Sequence, residues 1–472
     1  MTRSRIFAFA VLTFLAVTVI AGCGGKTPLN ENVFGPPQGD PTVVSLSPSS
    51  VAAQGAGFTL TVTGTSFVQG DTVQWGNQSL SSTFISSTEM QAQVPASDIA
   101  AAQSVLICVA TTPAQVFNFC DSFYISPIVP VSSGFSTTPV SVEANDMVWD
   151  PGSRQIFVSI AGTNPTNPNT LAALDPSTAS WGAAQNIGNG PDQLAISADG
   201  SYLYAGVDSQ NEVRRFTLPS LGADIDIPLS FPANTLTPLY AMDLQVSPTD
   251  SGTIAVLTGL GSAPYSNTTL SYLFIFDNST ARPTSGNPPP FPNSIQWNSS
   301  ATQIFGCDEN NDLWVIPVSS SGAGPDQNYS GAGMCRLHYL ASTGYLYSDS
   351  GTVVDPSSGK SVSNYPLLAV GGNGFTGVMV PDGTLNIAYF FGQTSGASSS
   401  STPSAYYLEA FDLTSFKLLG VADISNVTGA PIKMIRWGSN GLAVMTGTTN
   451  GPASGDGIYL ISGTFISDPA GK

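Results

Sequence analysis

Apolar and polar positions alternate in short runs along most of this chain, and residues Asn189 to Gly222 (NGPDQLAISADGSYLYAGVDSQNEVRRFTLPSLG) show the pattern most plainly. Gln193 to Ser197, Ser201 to Val207 and Glu212 to Leu218 are partly alternating apolar segments, separated by the turn clusters Ala-Asp-Gly and Asp-Ser-Gln-Asn. Runs of this length between such clusters predict three antiparallel strands in a meander. One meander can bury only a thin face, so it requires copies stacked beside it.

The copies are found through the first strand, Leu194-Ala195-Ile196-Ser197: an apolar residue, any residue, a large apolar residue, then a small or polar one. The same phrase occurs as Met147 to Asp150, Leu244 to Ser247, Ile295 to Asn298 and Ile435 to Gly438, with looser copies at Leu337 to Leu340 and Val378 to Pro381. These are seven anchors at intervals of 41 to 57 residues. The third strands repeat too, ending in Leu174-Asp175, Phe216-Thr217, Phe276-Asp277, Ile316-Pro317, Val354-Asp355, Phe411-Asp412 and Ile461-Ser462. Seven such units predict an all-β, seven-bladed propeller. Asp175, Asp277, Asp355 and Asp412 are expected to cap turns, and Trp149, Trp297 and Trp437, at equivalent positions, to pack between blades.

The phrases AISADGSYLYAG with NEVRRFTL, and DMVWDPGSRQIFVSIAG with NTLAALDPST, resemble the bacterial seven-bladed propellers of the YVTN type over residues 141–467. The resemblance implies the fold and leaves activity open, because that group mixes binding scaffolds with a few enzymes.

Ahead of the propeller, residues 41–126 carry strand signals at the short spacing of a sandwich. PTVVSLSPSSV, FTLTVTGTSFVQGDTVQWGN, STEMQAQVP and the closing SFYI resemble the IPT/TIG type of immunoglobulin-like domain, which implies a spacer or adhesion module. Gly64 is expected to allow a tight turn, and Phe67 and Trp75 to fill the core. Residues 127–140, with Pro127 and Pro130, are either an extended linker or an edge strand that closes the last blade. Residues 468–472 are a tail.

Residues 1–22 hold Arg3 and Arg5 and then the apolar run Ile6 to Ile20, too short for a spanning helix and the right length for a signal-peptide core. Ile20-Ala21-Gly22-Cys23 resembles the bacterial lipobox, which implies lipidation of Cys23 and stable anchoring by two or three acyl chains. By the same resemblance, Gly24 rather than Asp after the cysteine implies the outer membrane, on its periplasmic or surface side. Residues 23–40, with two adjacent prolines and no periodicity, form a tether.

Only 9% of residues are charged, and 31 acidic against 13 basic residues give a net charge of −18. Such a body repels nucleic acid. Of five cysteines, four remain once Cys23 is lipidated, and an oxidising compartment permits disulfides. Three pairings are possible, and Cys108 with Cys120, plus Cys307 with Cys335, is the favoured one. Zinc is disfavoured because there is no CxxC and only one histidine, His338.

That single histidine also excludes HExxH motifs and confines any Ser-His-Asp triad to His338. Gly372 to Gly377 matches GxGxxG but runs into a strand, and Asp308 to Asp312 resembles a calcium loop without its glycine and closing glutamate. No cofactor is therefore expected. The expected function is a non-enzymatic binding or scaffolding module, monomeric, for a protein or glycan partner. Two rivals stand: a lactonase-like hydrolase using channel-mouth carboxylates such as Asp146, Asp192, Asp243 and Glu309, and a carbohydrate-adhesion protein.

Overall fold

The protein is described from a computed structural model, which covers residues 40–48, 50–53, 56–100, 103–111, 120–126, 135–230, 238–260, 271–284, 294–308, 310–333, 336–365, 367, 376–394, 405–424, 426–447 and 457–469. The signal segment, Cys23, Glu309, Cys335 and residues 372–375 of the glycine-rich phrase lie outside the described residues. Among the described residues no helix is long and apolar enough to cross a membrane.

Alternation builds the first domain. In Phe58–Thr65 the side of the strand bearing Leu60, Val62 and Gly64 is buried while Thr59, Thr63 and Thr65 face water. This strand sits in a four-stranded sheet with Thr42–Ser47, Glu89–Val94 and Ser81–Ser86. A five-stranded sheet faces it, in the order Ser50–Ala52, Asp121–Ser126, Gln103–Ala110, Thr72–Trp75, Gln78–Ser79. Phe67, Trp75, Met90, Ile107 and Phe123 fill the space between them. A disulfide joins Cys108 to Cys120, with Cα atoms 4.5 Å apart. Gly64 does not make a turn. It lies inside its strand, where an added Cβ would stand 2.0 Å from the Thr42 carbonyl oxygen and 2.3 Å from the Phe67 ring, so its missing side chain is what admits Phe67 to the core.

Seven sheets follow, each running from an inner strand outward in chain order. The inner strands are Ala144–Asp150, Pro191–Ile196, Leu239–Val246, Ser294–Trp297, Leu337–Leu340, Thr376–Asp382 and Ala430–Trp437, and every one carries a sequence anchor. Each touches the next, and the last touches the first, so the blades form a closed ring. Most blades have four strands rather than the three legible in the sequence. The outer ones, such as Ser180–Asn186, Gly222–Pro228 and Lys360–Asn364, are largely exposed and therefore need no apolar run.

The ring is held by period two. In Gln155–Ile160, Ile156 and Val158 pack toward the seventh blade with Trp437 and Leu460, whereas Phe157 packs toward the second with Leu203 and Phe216. A strand buried on both faces must be apolar throughout. The same division produces one apolar cluster at each of the seven junctions. Trp149 and Trp437 meet at the first-to-seventh junction with ring centres 6.4 Å apart, and Trp297 is buried between blades three and four.

Closure comes from before the first blade. Phe135–Ser141 pairs antiparallel with Gly457–Gly463, register Phe135 to Gly463 through Ser141 to Gly457, as the outermost strand of the seventh blade. Pro139 is tolerated because an edge strand has a side with no ladder to join. Of the two readings of residues 127–140, residues 135–140 are the closing strand, so the propeller starts at Phe135, ahead of the expected residue 141; residues 127–134 are outside the described residues. After the final strand, Thr464–Ser467 forms a helical turn whose Phe465 and Ile466 are buried in the junction of blades six and seven.

Candidate functional site

The inner strands begin irregularly. The pairing register slips between Ala144 and Asp146, Pro191 and Leu194, Ala241 and Asp243, and Pro431 and Lys433. A bulge re-aims side chains; the unpaired residues are Asn145, Asp192 with Gln193, Met242 and Ile432, and charged residues stand in or directly after each bulge: Asp146, Asp192, Asp243 and Lys433.

Asp146 and Asp243 use the bulge in the same way. One Asp146 oxygen accepts the Met147 N–H at 2.8 Å, and the other accepts the Leu194 N–H of the second blade at 2.8 Å. Asp243 repeats this with Leu244 and, in the fourth blade, Ile295, both at 2.7 Å. Ser294 continues the series through its hydroxyl, 2.9 Å from the Leu337 N–H of blade five. Asp349, from the turn after the second strand of blade five, accepts the Met379 N–H of blade six at 2.8 Å. Lys433 closes the series on Asp146 at 2.5 Å, from blade seven to blade one. Burial pushes the Asp243 carboxyl up to about 6, against the opposing pull of its two backbone donors and of the Lys433 charge.

Interactions that skip blades place these groups at the axis. Arg336 of blade five donates to the Ile432 carbonyl of blade seven at 2.7 Å, and Lys433 of blade seven acts electrostatically on Asp243 of blade three. His338 is half-buried, its Nε2 3.0 Å from Asp349, whose other oxygen lies 3.8 Å from Arg336. Its described contact is therefore with a carboxylate already committed to the blade-six backbone.

Asp192 and Asp208 form a separate pair. Asp208 heads a one-turn 3-10 segment, Asp208–Gln210, after the second strand of blade two; its N–H donates to the Gly190 carbonyl at 2.9 Å, and its Oδ1 is buried without a hydrogen-bond partner among the described residues. Burial pushes Asp208 up to about 7; burial first, then the nearby Asp208 and Asp146 charges, push Asp192 well above the usual carboxylate range.

Three carboxylates named as channel-mouth candidates, Asp146, Asp192 and Asp243, thus come together at one end of the axis, and the fourth, Glu309, is outside the described residues. Lys433, Arg336, Asp208 and Asp349 were not singled out from sequence. A signal existed for two of them: Arg336 directly precedes its anchor as Asp146, Asp243 and Ser294 do, and Lys433 would as well if the seventh anchor were set one residue earlier, at Met434. Among the described residues, no three of His, Cys, Asp and Glu are placed to hold a metal ion.

The remaining marked residues are structural. Asp175, Asp355 and Asp412 cap their turns by accepting from Ser177, Ser357 and Ser415, whereas Asp277 instead takes Arg282 at 2.8 and 3.0 Å. Asp308 organises a hairpin turn by accepting the Asn310 and Asp312 N–H groups and the Trp314 indole. Cys307 is buried with its Sγ 3.7 Å from the Ser294 hydroxyl.

Residues 41–125 match the IPT/TIG domain. Among solved structures, the chain is similar to the Myceliophteria thermophila Cps50 (Swd1) beta-propeller domain, at 12% identity and a TM-score of 0.47, covering 69% of this chain and 99% of that one. No curated protein matches this chain.

Proposed function

We propose that this chain is a cell-envelope lipoprotein, anchored through Cys23, whose YVTN-type propeller is a non-enzymatic binding or scaffolding module carried on an immunoglobulin-like spacer. The observation that carries the reading is the engagement of the axial carboxylates. Both oxygens of Asp146 and of Asp243 accept backbone N–H groups, one from within the strand and one from the next blade. A general acid or base must reach a substrate proton, and carboxylates bound on both oxygens are fasteners first. Binding then falls to loops at the propeller faces, where side chains of different blades converge. The net charge of −18 favours a protein or glycan partner over nucleic acid.

The test uses the full mature chain, screened against lactones, esters and glycosides with and without calcium. No turnover above buffer is expected. Calcium-dependent hydrolysis that disappears in a folded Asp192→Asn variant would replace this reading with the hydrolase. In the same preparation, Cys23→Ser should move the protein from the membrane fraction to the soluble fraction, and retention on membranes would remove the anchor.

A further inference from the structure

Four of the described arginines are neutralised at short range: Arg214, Arg215, Arg282 and Arg436 each meet a carboxylate oxygen at 2.6 to 2.8 Å, with side chains 7 to 27% exposed. At the axis, Lys433 is likewise bound to Asp146 at 2.5 Å. Arg336 differs. Its Nη1 donates to the Ile432 carbonyl of blade seven at 2.7 Å, its ion-pair contact with Asp349 is 3.8 Å long, and its side chain is 48% exposed. Among the described residues its Nε and Nη2 groups carry no hydrogen bond. Asp349 is engaged elsewhere, since its Oδ1 accepts the Met379 N–H at 2.8 Å and lies 3.0 Å from His338 Nε2.

The free edge of this guanidinium is held in place from both ends. Arg336 directly precedes the inner strand Leu337–Leu340, whose first N–H is fixed by the Ser294 hydroxyl of blade four at 2.9 Å. The Arg336 backbone stands at φ 44°, a left-handed conformation that a side chain makes costly and that persists where the surroundings impose it. At the far end, the Ile432 carbonyl fixes Nη1 and leaves Nε and Nη2 on the open edge. Two N–H donors on one edge of a planar fork match the two oxygens of a carboxylate.

We propose that Arg336 is the binding site for a single carboxylate on an otherwise uncharged ligand, taken at the axial end of blades five and seven. The proposal rests on the reading of the propeller as a binding module and names the group that module takes. The restriction to one carboxylate follows from the setting: Asp146, Asp192 and Asp243 stand at the same end of the axis and the chain carries a net charge of −18, so a polyanion is repelled.

The experiment is an NMR titration of the full mature chain at low salt, followed through His338, the single histidine of the chain and one carboxylate removed from Arg336. The probes are glucuronate, glucose as its uncharged counterpart, and citrate as a polyanion. Glucuronate should give a saturable shift, about tenfold tighter or more than either of the others, and Arg336→Gln should weaken it by about tenfold or more. Arg336→Lys keeps the charge but loses the fork; it should bind between the two, and it supplies the comparison if Arg336→Gln does not fold. Absence of a saturable shift in wild type, glucose or citrate binding as tightly as glucuronate, or undiminished binding in the folded variant overturns the site and leaves Arg336 a brace between blades five and seven. The ligand's own signals separate that failure from failure of the binding-module reading. Glucuronate should be recovered unchanged, and its Arg336-dependent conversion would overturn the non-enzymatic reading while supporting the site.

Discussion

An added Cβ at Gly64 would meet the Thr42 carbonyl and the Phe67 ring well inside contact distance, and neither neighbour can retreat, one being backbone and the other wedged in the sandwich core. Gly64→Ala should therefore destabilise the first domain by about 3 kcal/mol, the upper range for overpacking. Denaturant unfolding followed by exchange in peptides from residues 58–94 checks this, and a shift below about 0.5 kcal/mol would mean that Phe67 has another place to go. The glycine was visible in the sequence but its role was not, because a turn glycine and a glycine under an aromatic ring look alike until the facing strand is known. Aspartates divide in the same way. Asp175, Asp355 and Asp412 accept from a Ser two or three residues on, as a local reading expects, while Asp277, although Ser279 and Thr280 follow it as closely, binds Arg282 across its hairpin, and Asp146 accepts from a backbone 48 residues away.

At the scale of elements, what the chain declared was what both faces of a strand bury. Middle strands are largely apolar because each separates two junction clusters, and inner strands carry the apolar positions of the anchor between polar ones, so all seven anchors fell on the inner strands. Exposed outer strands such as Ser180–Asn186 and Lys360–Asn364 were silent, since they place no demand on composition. Phe135–Ser141 belongs to that silent class, and its pairing with Gly457–Gly463 decides between the two readings of residues 127–140, linker or closing strand, in favour of the strand that joins the two ends of the ring. A chain beginning at residue 142 should lose this strand and leave Gly457–Gly463 as an edge with unpaired backbone groups. The expected outcome is a lower, broader thermal transition and a tendency to associate, seen by calorimetry and light scattering. A truncated chain that melts as wild type does would show that closure is supplied elsewhere.

Across the whole molecule, charged groups at the axis fasten blade to blade. Bulges lie at the start of four inner strands; there Asp146 and Asp243 accept backbone N–H groups of the next blade, and Lys433 donates to Asp146. Asp146, Asp192 and Asp243 were legible as channel-mouth carboxylates but not as fasteners, because a carboxylate near an axis is equally suited to chemistry and to fastening until its partners are known. The most direct measurement is the unfolding free energy of Asp243→Ala in the full mature chain at pH 7. Losing the acceptor leaves the Leu244 and Ile295 N–H groups without their partner, and each buried orphan costs about 1–3 kcal/mol. A loss of about 2 kcal/mol or more is the expected result. Unchanged stability would contradict the account and free Asp243 for chemistry.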